Sequence, residues 1–166
     1  MKKNKGRSIK AIPKQYDPAP EVEEIAKDLI RQYHPHLAVK LDKMKFLFVN
    51  KKIKAKGKIV AGVVKKVPKE YQVISDGVEI VIIISYPVFN ELSEQLKCYI
   101  VDHELNHIFY EDHETTGEEK CTLLSHDFED FIEIIDRYGP VRKEIKQLQL
   151  ILARKSNDKE DLEEDD

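Results

Sequence analysis

Val22, Ile25, Ala26, Leu29 and Ile30 recur at steps of three and four between Pro20 and Tyr33, a single apolar stripe that predicts an amphipathic helix. Pro20 suits its first turn, and Glu21, Glu23 and Glu24 suit the positive end of the helix dipole. The His34-Pro35 step ends it, because the residue before a proline is pushed out of helical geometry. Between Leu41 and Ser85 the period changes. Phe46, Phe48 and the run from Ile59 to Val67 are aromatic and β-branched, punctuated by Gly57, Gly62, Pro68 and Asp76-Gly77. Val78 to Ser85 is almost wholly apolar and predicts a strand covered on both faces. Three or four strands are expected here, antiparallel, since the connections are too short for helical crossovers.

After Pro87 the pattern is helical again. Ser93 is an N-cap candidate with Glu94 in the first turn, and Leu96, Ile100, His103 and His107 follow on one helical face. The polar stretch from Glu111 to Lys120 reads as a loop or small hairpin. Phe128, Phe131, Ile132, Ile135 and Tyr138 mark another helix, closed by Gly139-Pro140. A last amphipathic helix is expected from about Val141 to Lys155, with Ile145, Leu148, Ile151 and Leu152 inward. A leading helix, a small sheet and closing helices make an α+β domain.

Charge changes this picture at the ends. Residues 1–70 hold 19 Lys/Arg against 7 Asp/Glu, and residues 71–166 hold 9 against 24, so a net charge of −3 conceals two oppositely charged halves. Eleven lysines between Lys40 and Lys69 face only Asp42. Their first reading is solvent-facing lysines that guard edge strands against aggregation, and their second is contact with nucleic acid. Residues 1–15 read as a basic disordered arm, 16–155 as the folded domain, and 156–166 as an acidic disordered tail, where seven of eleven residues are acids. No apolar run approaches the roughly 20 residues of a membrane span, and no apolar stretch follows the basic start as a secretory signal requires. Two cysteines, Cys98 and Cys121, are too few for a disulfide framework and read as packing residues of a cytoplasmic protein.

The chemistry is concentrated in His103-Glu104-Leu105-Asn106-His107, an H-E-x-x-H arrangement. Residues four apart on a helix share a face, so two imidazoles converge on one zinc ion, and the glutamate beside them can take a proton from a water that the metal activates. A catalytic zinc takes three protein ligands and leaves a fourth position open. His113 stands at the spacing of a metzincin third ligand, but Tyr110 occupies the place where that turn uses glycine. His126 stands at the start of the Phe128–Tyr138 segment, with Ser125 or Asp127 to cap it, and is the preferred third ligand. Asp102, Glu129 and Asp130 are candidate partners for ligand imidazoles, although solvated carboxylates are their default. Tyr110 and Tyr138 are candidate oxyanion donors, with a core role the default for each. His34 and His36 flank Pro35 and read as turn residues.

The stretch from Leu92 to Gly139, with LSEQLKCYIVDHELNHIFY and then SHDFEDFIEIIDRYG, resembles the phage metallopeptidase family and, more distantly, the SprT-like zinc proteases. The resemblance implies a minimal zincin-like domain with a small, mainly antiparallel sheet, His103, His107 and His126 as zinc ligands, and Glu104 as the catalytic base. It also implies a protein or peptide substrate. SprT-like sequences carry glycine after the third histidine, where this chain has Asp127. The expected activity is zinc-dependent peptide hydrolysis. The competing readings are a DNA-associated protein using the lysine-rich half, and a metal-stabilised interaction module without catalysis.

Overall fold

In the computed structural model, which describes residues 13–112, 119–126 and 132–163, the leading helix α1 spans Pro20–Tyr33 as its stripe predicts. Val22, Ala26, Leu29 and Ile30 are buried, and His34 caps the end. A 3-10 segment, Pro35–Lys43, continues the chain past the proline. The strands β1 (Tyr16–Pro18), β2 (Met44–Val49), β3 (Ile53–Ala55), β4 (Lys58–Val60), β5 (Gly62–Lys66) and β6 (Ile80–Ser85) surround α1 in sequence, with the single-turn α2 (Lys69–Gln72) before β6. The single-turn α3 (Tyr86–Phe89), α4 (Glu94–Asn106) and the strands β7 (Ile108–Asp112) and β8 (Glu119–Leu123) follow. Contacts divide the chain into two units, Met1–Leu124 and Ser125–Asp166. The second contains α5 (Ile132–Tyr138) and α6 (Lys143–Glu163).

The main sheet has the order β1-β2-β6-β5. β1 and β5 run antiparallel to their neighbours, but β2 and β6 are parallel, from Met44 opposite Ile80 to Val49 opposite Ser85. The sheet is thus mainly antiparallel, as expected, with one parallel pair that short connections do not foretell. The reasoning from short connections treats successive strands as partners, whereas β2 skips the β3–β4 hairpin and β5 to pair with β6. The region also holds five strands instead of three or four. The apolar run at β6 is central in the sheet and nearly all buried, as expected.

One face of the sheet carries Met44, Phe46, Ile80, Ile82 and Ile84, and these join Val22, Ala26 and Ile30 of α1 with Val101 and Leu105 of α4 in one core. Burial of such side chains contributes roughly 1.5–3 kcal/mol each. The other face bears Lys45, Val81 and Lys65 in one cross-strand row, with both lysines exposed. The β3–β4 hairpin turns at Lys56 and Gly57, both at positive φ, the conformation a tight primed turn needs. Lys52, Lys54 and Lys58 are exposed on it.

Two contacts pin α4 to α1. Lys97 Nζ bonds Glu21 at 2.8 Å and Glu94 at 3.0 Å. His34 Nε2 meets Asp102 Oδ1 at 2.5 Å. His34 stands at the junction after α1 as expected of a turn residue, but it is buried and it joins two helices. In the second unit Gly139 sits at φ 70° directly after α5, as the closing Gly-Pro pair predicts. Ile145 of α6 is buried, but Ile151 and Leu152 are exposed, so the inward stripe ends earlier than its spacing suggests. The backbone of α6 continues to Glu163, eight residues beyond the expected end at Lys155.

Candidate metal centre

Helix α4 begins where Ser93 accepts a hydrogen bond from the Leu96 amide, as its N-cap pattern predicts. Val101 and Leu105, four residues apart, are buried on its core side. His103 therefore stands off the core, half-buried, and its ring lies 5.1 Å from that of His107 in an edge-to-face arrangement. The helix proper ends at Asn106. His107 is its C-cap and keeps helical backbone angles, so the i, i+4 relation survives.

From His107 the chain enters β7 at once and returns through β8. The register pairs Ile108 with Leu123, so the next pair outward is His107 with Leu124. Backbone and side chain both confirm it. Leu124 N donates to His107 O at 2.8 Å, and His107 Nδ1 lies 2.6 Å from Leu124 O. A carbonyl only accepts, so Nδ1 donates, and Nε2 is the nitrogen that the ring would offer to a metal. A backbone carbonyl holding one ring nitrogen while the other is left for a metal is the usual arrangement around a ligand histidine.

His126 follows two residues later, on an irregular segment after β8. The hairpin explains how a histidine nineteen positions from His107 comes back to it. His103, His107 and His126 each offer one ligand atom, and these atoms lie within 4.8 Å of one another. A set of three imidazole donors suits zinc and its borderline-soft neighbours. His113, the competing third histidine, lies outside the described residues, as do Asp127, Phe128, Glu129, Asp130 and Phe131. The helix expected to open at His126 is described only from Ile132.

Glu104 is on the opposite side of the helix from solvent, only 5 % exposed. Burial pushes its carboxyl up to about 7, against the opposing pull of His107 and of the Val64 amide, which hydrogen-bonds it. Its carboxylate lies against Gly62, at the start of β5. Gly62 reads as punctuation in the sequence, yet it sits within a strand. A glycine in a β-branched run is the signal of a close approach that sequence reasoning had to hand.

The remaining candidates sort by their contacts. Asp102 meets His34, not a histidine of the cluster, and also accepts from Asn106 Nδ2 at 3.4 Å. Tyr110 has a buried hydroxyl. Burial first, then Cys121 and Glu79 nearby, pushes that hydroxyl above its ordinary pKa and keeps it protonated. Tyr138 is exposed, which corrects its expected core role. Cys121 joins the core as expected of a packing residue, with its thiol pKa raised by burial, and Cys98 is half-buried. Among the described residues no helix is long and apolar enough to cross a membrane.

No curated protein and no solved structure matches the chain. The family model described as "Putative phage metallopeptidase" matches residues 14–149, which takes in all four strands of the main sheet, α4, the β7–β8 hairpin and all three clustered histidines. By that match, which covers well over half of its length, the chain belongs to the family described as "Putative phage metallopeptidase".

Proposed function

We propose that the protein is a zinc-dependent peptidase whose domain spans residues 16–155, with His103, His107 and His126 as metal ligands and Glu104 as general base. The observation that carries the reading is the clustering of three imidazole donors from two distant stretches of chain, beside a glutamate on the same helix. Family membership supplies the class of reaction. A bound zinc would supply Lewis acidity, polarising the scissile carbonyl and acidifying water, with one of its four positions left open by three ligands.

The chain's own groups do the rest. Glu104 takes the proton of the attacking water and delivers it to the leaving amine. The Leu124 carbonyl holds His107 through Nδ1, so that Nε2 is the atom it would offer the metal. The substrate main chain lies along β5, the terminal strand of the sheet, which packs beside α4. Strand addition there recognises backbone more than side chain.

The test compares two variants in metal content and in cleavage of an unfolded protein. Glu104→Ala should retain zinc and lose about 10²–10⁴-fold in kcat, the usual contribution of a general base. His103→Ala should lose the metal. Equal metal content in both variants refutes the ligand assignment. Metal in the wild type with no cleavage of any unfolded substrate refutes the peptidase and leaves the metal-stabilised module.

A further inference from the structure

Strand β5 is last in the sheet order, so among the described residues no strand pairs with its outer side. Ser85 N donates to Ala61 O and Val67 N donates to Glu79 O, each at 2.8 Å. In an antiparallel ladder the hydrogen-bonded pairs alternate. Ala61, Val63, Lys65 and Val67 therefore turn their backbone groups towards β6, and Gly62, Val64 and Lys66 turn theirs outward. Strand residues two apart share a face, and the face of Gly62 is that of Ile84, its partner in the ladder.

On that face Gly62 leaves room for one group. A Cβ there would stand 2.8 Å from Glu104 Oε1, 3.0 Å from Glu104 Cγ and 2.8 Å from Ile84 Cδ1. The backbone of Gly62 is not left-handed, so the position calls for glycine because of space, not because of φ. The outward amide of Val64, two residues on, is the hydrogen-bond donor to the same carboxylate.

We propose that Gly62 and the edge-facing amide of Val64 are positioning residues that together seat the Glu104 carboxylate against β5 before any substrate arrives. The inference rests on the reading of Glu104 as the general base. Its physical content is that the carboxylate owes its direction to a neighbouring strand as well as to its own helix. One edge amide of β5 is thereby committed to the base, so an added peptide strand pairs at Val64 only by displacing Glu104. Glu104 is thus coupled to occupancy of the edge.

The full chain can be tested by following the Val64 amide in 1H–15N spectra. Glu104→Ala and Gly62→Ala should each shift that amide upfield and speed its hydrogen exchange about 10-fold, as loss of one hydrogen bond to a charged acceptor does. In steady-state cleavage Gly62→Ala should lower kcat about 10- to 100-fold, with KM and metal content unchanged, since misplacing a catalytic group by an ångström costs this much. Val64→Pro serves as the second variant. It deletes an edge-facing N–H, which a terminal strand tolerates, and trades the Val64 side chain on the core for a proline ring, so the β6 amides should stay protected while kcat falls. A Val64 amide indifferent to Glu104→Ala overturns the proposal, as does a Gly62→Ala enzyme with unchanged kcat. A wild type that cleaves nothing while the Val64 amide responds overturns the peptidase reading alone and leaves the seat standing.

Discussion

Glu104 is a carboxylate in a position that the helical pattern reserves for the core, between Val101 and Leu105 on one side and β5 on the other. Burial there favours its neutral form, and its pKa of about 7 lies above the ordinary 4.5. Between those two values the native metal-free protein binds more protons than the unfolded chain, so its stability must fall as pH rises through the window. The contribution is fully present below about 4.5 and gone above about 7. Urea midpoints of the metal-free protein should record that decline, and Glu104→Gln, which cannot ionise, should flatten the part of it that this carboxyl causes. An undiminished slope in the variant would assign the decline to other groups. His107 illustrates a second residue-scale device, a backbone carbonyl that holds Nδ1 and so decides which nitrogen would face a metal in the proposed site.

At the scale of elements, α4 packs through Val101 and Leu105, presents His103 away from the core, and ends at His107. Its placement depends on α1. The His34–Asp102 contact ties the C-cap of α1 to the residue immediately before His103. Asp102 is partly exposed, so water can replace a lost partner at moderate cost. His34→Ala should therefore lower stability by about 1–3 kcal/mol, read as a fall in urea midpoint at constant slope. A change below about 0.5 kcal/mol would show the pair to be a bystander. The β7–β8 hairpin supplies the other constraint. Its antiparallel register returns Leu124 to His107, so strand pairing fixes the end of β8 beside the C-cap of α4.

For the whole molecule, a metal held by residues from separate stretches links binding to folding. Any ion that binds the native cluster and not the unfolded chain stabilises by about 2.7 kcal/mol at a hundredfold excess over its Kd. Chelation should lower the Tm of the purified protein, added zinc should restore it in a concentration-dependent way, and His126→Ala should abolish the response. A Tm indifferent to chelator would contradict a structural contribution of the metal. The charge asymmetry is a separate feature of the molecule. Lys52, Lys54 and Lys58 project from the β3–β4 hairpin and Lys45 and Lys65 from the outer sheet face, the solvent-facing placement that lysines on exposed strands adopt.

Local pattern alone was enough for α1, for the N-cap at Ser93, for the apolar central strand at β6 and for the histidine pair on α4, because each depends on periodicity or on residues within a turn of one another. Strand partnership was not legible, since the parallel pairing of β2 with β6 joins residues 36 positions apart, as Met44 with Ile80, and leaves no local trace. Nor was the burial of His34, the hold of the Leu124 carbonyl on His107 or the contact between Gly62 and Glu104, each of which joins groups brought near by other elements. Short-range sequence determines which segments coil, extend and carry donors. Only packing decides which donors meet, because a contact between distant residues is a property of the whole core that holds them.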